Sequence, residues 1–320
     1  MLLVDLDEAE VDVDTLEAVF ERWNATPDED LAGLSPGSLA ELLEDPFEAT
    51  DVLVFADVLA RPPVAPVCTL LAPLFEALLP GPVPATARGY LPPPLCAAIA
   101  ADAYARHATL PFDTPVAIGS SAIGSSAVGS SAIDWNAAVR SEARFRSLHV
   151  ARQTAIAAGL VRRQRGHFDL TRRGRRLYVR HGMAGVYPAL LRGFATRIEW
   201  AALDRQPRLP ILQASVGFSL LLLARFGGVA RPATFYAERW LRAFPGIDEV
   251  FGWEAPRQRA GRGRSEDPTV RFAQCYRSRV LERCMVYFGL AELRGGPRSA
   301  SAHVRATPLL HDLLALRLGG

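Results

Sequence analysis

Two short stretches near the start of the chain have apolar residues at the spacing of an amphipathic helix. Their apolar faces consist of Leu16, Val19, Phe20 and Trp23 in the first stretch and of Leu39, Leu42 and Leu43 in the second. Ser35 followed by Pro36 is typical of a helix start, since serine is a good cap and proline fits the first turn. Because such faces need a surface to pack on, we expect both in a core, with a partner-binding site as the alternative.

Between residues 62 and 182 the apolar pattern predicts a helix, a Pro-rich strand region, a second helix, a long loop, a third helix, a β-hairpin and a further helix. The third helix is expected from about Glu142 to Ala158. The hairpin follows Gly159-Leu160, and Thr171 is a suitable N-cap for the last helix. This order of elements is typical of a winged helix.

The same order recurs in the C-terminal part of the chain. Helices are predicted from about Leu209 to Phe226, Thr234 to Phe244 and Thr269 to Phe288, with a short strand region between the first two. Gly289-Leu290 then repeats Gly159-Leu160 before a second, longer hairpin. We therefore expect a mainly α-helical fold of two tandem winged-helix-like modules with small β-hairpins, preceded by an acidic N-terminal helical segment.

Composition and pattern divide the chain into four parts. They are an acidic helical segment at 1–61, a first module at 62–182, a bridging helix at 183–208 and a second module at 209–320. The repeat AIGSSAIGSSAVGSSAI at 117–133 interrupts the first module. Because alanine, glycine and serine bury little apolar surface, we expect this Gly-Ser-Ala repeat to be a flexible linker or surface loop.

Charge is distributed unevenly along the chain, although the formal net charge is only +2. Residues 1–61, the acidic head, contain 17 acidic residues and two arginines, whereas the remainder contains 17 acids and 34 arginines. All 36 basic residues are arginine, which excludes a Walker A lysine and a lysine Schiff base. An acidic head is thus joined to a basic body.

Positive charge is concentrated between Arg140 and Arg180, where 12 arginines accompany two acids. Such a stripe suits the phosphate row of DNA. The candidate contacts are Arg144, Arg152 and Gln153 on the third helix, Arg162, Arg163 and Arg165 on the hairpin, and Arg172 and Arg173 on the next helix. Arg172 and Arg173 stand in a first helical turn, where the helix dipole disfavours cations, so helix stability does not explain them.

These features favour a DNA-binding protein, for example a regulator, with its third helix in the major groove and its basic hairpin against the backbone or minor groove. The alternative is a protein-interaction adaptor whose basic face receives an acidic partner. A third interpretation is that the arginines are simply solvated. The acidic head could also cover the basic face and compete with phosphate, or pack elsewhere through its apolar residues.

The sequence contains none of the motifs HExxH, GxSxG, GxGxxG or the P-loop, so we expect no enzyme activity and no cofactor. The four cysteines form no CxxC pair and have no histidine at zinc-ligand spacing, so we expect neither a metal nor a disulfide. The longest strongly apolar run, Val216 to Ala224, is too short to cross a bilayer. Without a signal-like start, a cytoplasmic location without membrane contact is expected.

Several segments resemble a family of bacterial proteins generally described as hypothetical. They are WNATPDEDLAGLSPGSLAELLEDPF, ILQASVGFSLLLLARFGG, RPATFYAERWLRAFP, AGLVRRQRGHFDLTRRGRRL and RATPLLHDLL. The resemblance spans about residues 20–318 without the Gly-Ser-Ala repeat, and it implies a bacterial, cytoplasmic protein with a common core. The family has no established activity, so the resemblance transfers no catalytic or binding residue.

Overall fold

The computed structural model describes residues 13–49, 51–107, 110–113, 139, 141–204, 208–247, 267–295 and 302–317. These residues are mainly helical and form small antiparallel sheets. The predicted Gly-Ser-Ala repeat at 117–133 and the first twelve residues of the acidic head lie outside the described ranges. Among the described helices, none is both long and apolar enough to cross a lipid bilayer.

The helices are α1 (Val13–Ala25), α2 (Pro36–Glu44), α3 (Pro66–Leu78), α4 (Pro93–Arg106), α5 (Arg146–Ala157), α6 (Arg172–His181), α7 (Met183–Arg197), α8 (Pro210–Ala214), α9 (Val216–Phe226), α10 (Ala233–Ala243), α11 (Pro268–Tyr276) and α12 (Pro308–Leu313). The strands are β1 (Leu53–Phe55), β2 (Val83–Pro84), β3 (Val161–Gln164), β4 (His167–Leu170), β5 (Arg231–Pro232), β6 (Ala291–Arg294), β7 (His303–Ala306) and β8 (Leu314–Leu316). Two 3₁₀ turns lie at Glu142–Arg144 and Trp200–Leu203, and a π-helix at Arg277–Val286 continues α11.

Two parts of the chain fold with the same order of elements. The first repeated unit (residues 66–181) contains α3, β2, α4, α5, β3, β4 and α6, and its sheet has the order β2-β4-β3. The second repeated unit (residues 216–313) contains α9, β5, α10, α11 with its π-helix, β6, β7 and α12, and its sheet has the order β5-β7-β6. In each sheet a short strand between two helices pairs with the second strand of the hairpin.

Both units share the same hydrogen bonds at the turn between the third helix and the hairpin. Gly159 and Gly289 both have φ of +70°, which glycine adopts without strain. The Thr171 hydroxyl donates to the Gly159 carbonyl at 2.7 Å, and the Thr307 hydroxyl donates to the Gly289 carbonyl at 2.6 Å. The repeated glycines and threonines therefore occupy equivalent structural positions, which is why the sequence pattern recurs.

A continuous core joins the two units through α7. The buried Tyr187 hydroxyl donates to the Phe288 carbonyl at 2.5 Å, and the buried Tyr287 hydroxyl donates to the Ser147 carbonyl at 2.8 Å. The Val67 N–H donates to the Tyr287 carbonyl at 3.1 Å. Buried tyrosines need such partners, and here each partner lies on another element, so the bonds fix how the units sit together.

The head packs on the second unit and on α7. Leu42 of α2 lies against Gly217 of α9, and strand β1 pairs with β8 near the C-terminus. Arg225 donates to the Ala32 carbonyl, and Arg192 pairs with Glu48 at 2.6 Å. The described acids of the head thus form no ion pair with an arginine of α5, α6 or the hairpin β3–β4.

The prediction that the apolar faces of both head helices lie in a core holds for α2 but not for α1. The Ser35 hydroxyl accepts a hydrogen bond from the Ser38 N–H at 3.2 Å, and Pro36 opens the helix as expected. The apolar face of α1, in contrast, is 53% to 62% exposed at Leu16, Val19, Phe20 and Trp23. The expectation that it lies in the core is therefore corrected: periodicity identifies an amphipathic helix but not the surface that covers it.

Three other predicted helices differ in detail. The stretch from Leu209 to Phe226 is broken at Ser215, whose hydroxyl accepts a hydrogen bond from Trp240 at 2.8 Å. The bridging helix ends at Arg197 and is followed by a 3₁₀ turn. The stretch from Thr269 to Phe288 changes to a π-helix partway. The spacing of apolar residues is similar in α-, 3₁₀- and π-helices, so the sequence pattern did not distinguish these helix types.

We predict that Leu42→Ala and Leu16→Ala have unequal effects on stability, although they remove the same atoms. Leu42 is fully buried, so its truncation should lower the free energy of unfolding by about 2–5 kcal/mol. Leu16 is exposed, so its truncation should change that energy by about 0.5 kcal/mol or less. Urea denaturation of both variants measures the difference. An equal loss would contradict the described position of α1.

Candidate nucleic-acid interface

The hairpin β3–β4 carries exposed arginines on its strand β3 and at its turn. Its two-residue turn consists of Arg165 and Gly166, whose φ values of +50° and +75° match a tight hairpin turn. Phe168 and Leu170 face the core, whereas the side chains from Arg162 to His167 are exposed. The tight turn and the uninterrupted exposure from Arg162 to His167 thus place the predicted basic tip at the surface.

Helix α6 begins directly beside the hairpin. The Thr171 hydroxyl caps it by accepting a hydrogen bond from the Gly174 N–H at 2.9 Å. A Cβ atom at Gly174 would lie 2.1 Å from the Leu160 carbonyl oxygen, so only glycine allows this approach. The cap and the close contact hold α6 against the start of β3, with its arginine-rich face towards solvent.

Most of the exposed arginines of this region lack an acidic partner. Among the residues that the structure describes between 143 and 198, Asp169 is the single acid, and it lies 3.0 Å from Arg162 and 3.9 Å from Arg175. Six exposed arginines of the hairpin β3–β4 and of α6 form no ion pair with a described acid: Arg163, Arg165, Arg172, Arg173, Arg176 and Arg180. We call these six residues the basic surface. Their mutual repulsion is offset by little protein charge, as in a site for an anionic polymer.

Helix α5, the predicted DNA-reading helix, is enclosed by the protein. Seven of its 12 residues are buried: Ser147, Leu148, Val150, Ala151, Arg152, Thr154 and Ala155. The helix packs against α3 and α7. Of its other residues only Arg146 is exposed, and the Arg146 guanidinium donates to the Leu203 carbonyl at 2.5 Å. Entry into a major groove needs a fully exposed face along the helix, and on α5 the side that carries His149, Gln153 and Ala157 is only partly exposed.

Arg152 lies inside the protein rather than on a binding face. It is 3% exposed and bonds the fully buried Glu142 through Nε at 2.9 Å. Glu142 also accepts hydrogen bonds from the Leu91 N–H at 2.8 Å and, at the other oxygen, from His149 at 2.7 Å. The candidate contact at Arg152 is therefore corrected, because its charge is already neutralised in the core.

Glu142 stays ionised because of these partners. Burial alone would raise the pKa of the Glu142 carboxyl, but hydrogen bonds from His149, Arg152 and the Leu91 N–H outweigh it. The net result is a pKa below the ordinary value. The carboxylate thereby ties α5 to the loop before α4.

The remaining predicted site residues lie partly on the basic surface and partly outside it. Arg163, Arg165, Arg172 and Arg173 belong to the basic surface. Arg162 is exposed beside them but pairs with Asp169, and Arg144 is exposed in the 3₁₀ turn before α5. Gln153 is half-buried on α5.

Arg176 and Arg180 belong to the basic surface but were not among the residues predicted from the sequence. Both follow Arg172 at intervals of four, so the three side chains lie on one face of α6, about 6 Å apart along the helix axis. That spacing was visible in the sequence. Arg175, one position away, instead donates to the Leu79 and Leu78 carbonyls at 2.6 and 3.3 Å and closes the C-terminus of α3.

The cysteines and other metal-binding side chains do not assemble a second site in the described ranges. All four cysteines are buried with free thiols. Burial raises the pKa of Cys275 to about 11 and that of Cys96 to about 12, so these thiols stay protonated at neutral pH. No cluster of three or more His, Cys, Asp or Glu among the described residues suits a metal ion.

A cleft of about 320 Å³ lies between α2, α7 and α8. The ion pair between Arg208 and Glu199, 3.0 Å apart, forms part of its wall. Gln213 in the same wall donates to two backbone carbonyls of the α7 end, those of Ala195 and Ile198. These polar groups therefore bind one another or the backbone. The cleft is less suited than the basic surface to a charged partner.

Comparison with known proteins gave no match to a protein-family model, a curated protein or a solved structure.

We predict that Glu142→Gln destabilises the fold in a pH-dependent way. At neutral pH the variant leaves Arg152 buried without its counter-charge, which should cost about 3–5 kcal/mol of unfolding free energy. Because the folded pKa is lowered, the wild type has this stability above the ordinary glutamate pKa and loses it as pH falls through the folded value. Urea denaturation across pH should therefore show the gap between the two proteins narrowing in acid.

Glu48→Gln is the matched control, since Glu48 pairs with Arg192 but is exposed. Its loss should be about 1 kcal/mol or less at every pH. A pH-independent gap for Glu142→Gln would contradict the role given to the buried carboxylate.

We also predict that Gly174→Ala displaces α6. The new methyl group meets a backbone carbonyl, so the cost should be about 1–3 kcal/mol despite the better helix propensity of alanine. Gly81→Ala is the control, because no atom lies within 4 Å of the added Cβ there. Thermal unfolding should show a lower midpoint only for Gly174→Ala. Equal midpoints would mean that α6 does not depend on this contact.

Proposed function

We propose that the protein binds nucleic acid, through the basic surface formed by hairpin β3–β4 and helix α6. On this proposal the two repeated units are winged-helix modules. The strand orders β2-β4-β3 and β5-β7-β6, each with a short strand between the first two helices, support that assignment. The observation that carries the function is the group of six exposed arginines without an acidic partner among the described residues.

The arrangement of these arginines suits a phosphate backbone. Arg172, Arg176 and Arg180 form a row along α6, and Arg163 and Arg165 extend the positive charge to the hairpin. Each phosphate that an arginine neutralises releases condensed counterions, so such a row supplies affinity that depends steeply on salt. Solvated charge alone does not explain Arg172 and Arg173, which oppose the dipole of α6 in its first turn.

The burial of α5 changes the expected mode of binding. Base edges in the major groove are recognised by side chains on an exposed helix, and α5 is enclosed. The proposed contacts are therefore made to phosphates, with Arg152 excluded and Arg176 and Arg180 added. Binding of this kind has weak sequence preference.

A protein-interaction adaptor is the second candidate, and the exposed face of α1 favours it. Leu16, Phe20 and Trp23 are each more than half exposed on an acidic helix. An apolar face of this extent on a monomer is typical of a contact surface. The two functions differ in whether a nucleic acid binds at physiological salt.

We predict that Arg165→Gln/Arg172→Gln/Arg176→Gln weakens duplex binding and lowers the slope of log K against log salt by about three. Fluorescence anisotropy with a labelled 20-base-pair duplex, titrated at several salt concentrations, measures both effects. Duplexes of unrelated sequence and equal length should bind with similar affinity, because the contacts are to phosphates.

The control is Arg61→Gln/Arg106→Gln/Arg208→Gln, which removes the same charge from exposed arginines that pair with acids. It should keep most of the wild-type slope. Equal slopes for both triple variants would show that only net charge matters and would overturn the assignment of the basic surface. If the wild-type protein does not bind the duplex at physiological salt, the result would favour the protein-interaction adaptor as the function.

A further inference from the structure

A second group of arginines surrounds two phenylalanine rings on the second repeated unit. Phe226 at the end of α9 and Phe235 on α10 lie edge to face, with centroids 5.5 Å apart. The Arg231 guanidinium carbon lies 4.7 Å from the Phe235 centroid, and that of Arg239 lies 4.9 Å from the Phe226 centroid. We call these four residues the arginine–phenylalanine cluster. All four are partly exposed.

The positive charges of this cluster are close together. Both guanidiniums contact both rings, since Arg231 is also 6.0 Å from Phe226 and Arg239 is 5.4 Å from Phe235. A third arginine, Arg225, lies 5.6 Å from Phe226. Like charges on shared rings repel each other, and cation–π attraction offsets only part of that repulsion.

No described acid neutralises Arg231 or Arg239. Neither side chain forms an ion pair within the part of the chain that the structure describes, although Glu238 is the sequence neighbour of Arg239. Arg225 donates to the Ala32 carbonyl and Arg231 donates through Nε to the Phe226 carbonyl at 3.3 Å. These bonds hold two of the arginines in place but supply no negative charge.

The aromatic contacts prepare the guanidiniums for an anion. A guanidinium that rests on a ring uses its flat face, whereas its N–H donors point along the plane. The in-plane donors therefore remain suited to oxygen atoms in a two-pronged arrangement. Because the rings already restrict the side chains, less conformational entropy is lost when an anion binds.

We propose that the arginine–phenylalanine cluster is a second phosphate-contact site for nucleic acid, separate from the basic surface. This inference rests on the proposed function, because one polyanion would contact both sites. A backbone with a charge on every nucleotide offers adjacent phosphates to two guanidiniums that share the same rings. The second repeated unit would then also contribute to affinity.

The test is Arg231→Gln/Arg239→Gln in the full chain, with circular dichroism to verify folding. In the salt titration with the same labelled duplex, we expect a slope lower by about two and an affinity lower by roughly 10-fold. Arg231→Lys/Arg239→Lys, which retains the charges, should restore most of the slope. Arg61→Gln/Arg106→Gln removes the same charge elsewhere and should leave the slope nearly unchanged.

Three outcomes separate this proposal from the proposed function. If the basic-surface variant loses duplex binding and Arg231→Gln/Arg239→Gln does not, the arginine–phenylalanine cluster is not a phosphate-contact site. The proposed function is then unaffected. If only Arg231→Gln/Arg239→Gln loses duplex binding, the result supports the cluster as a phosphate-contact site and overturns the assignment of the basic surface. If Arg231→Gln/Arg239→Gln instead loses affinity for poly-glutamate but keeps that for the duplex, the cluster is a site for acidic peptides and the proposal fails.

Discussion

The enclosure of helix α5 is the constraint from which the rest of the structure follows. Its neighbours are α3, α7 and the Tyr287 hydroxyl of the second repeated unit, so the first unit is not free to present this helix. Enclosure also forces the polar groups inside to find partners, and Glu142 and Arg152 meet that need by pairing. An arginine that looks like a DNA contact in the sequence thus becomes an internal bond, whereas the exposed arginines that follow it in the first unit lie on the hairpin and α6.

The order of elements could be predicted from the sequence because it depends on local signals. Gly159 and Gly289 have positive φ, and Thr171 and Thr307 bond their carbonyls, so the same few residues mark each turn. Apolar spacing likewise located the helices to within a few residues. The break at Ser215 coincides with a hydrogen bond from Trp240, a residue distant in the chain, and local spacing does not encode such a contact.

The exposure of side chains was harder to predict. Arg152 and Arg172 have the same chemistry, and only a carboxylate ten residues before Arg152 distinguishes the buried one. The apolar stripe of α1 is as regular as that of α2, yet only α2 lies against α9. Both differences are tertiary: they depend on which surface the fold supplies, whereas the period of a helix states only that one face is apolar.

The position of the head determines how its negative charge acts. Its described acids are held near the second unit and α7 by β1–β8 pairing and by the bond from Arg225 to Ala32, not against the basic surface. They therefore do not block the basic surface by contact. Acids at a distance still repel a polyanion through solvent, but salt screens that repulsion within about 10 Å at 0.1 M. On the proposed function, the described acids of the head would then weaken association mainly at low salt, where their field extends furthest, while the arginines would contact phosphates at shorter range.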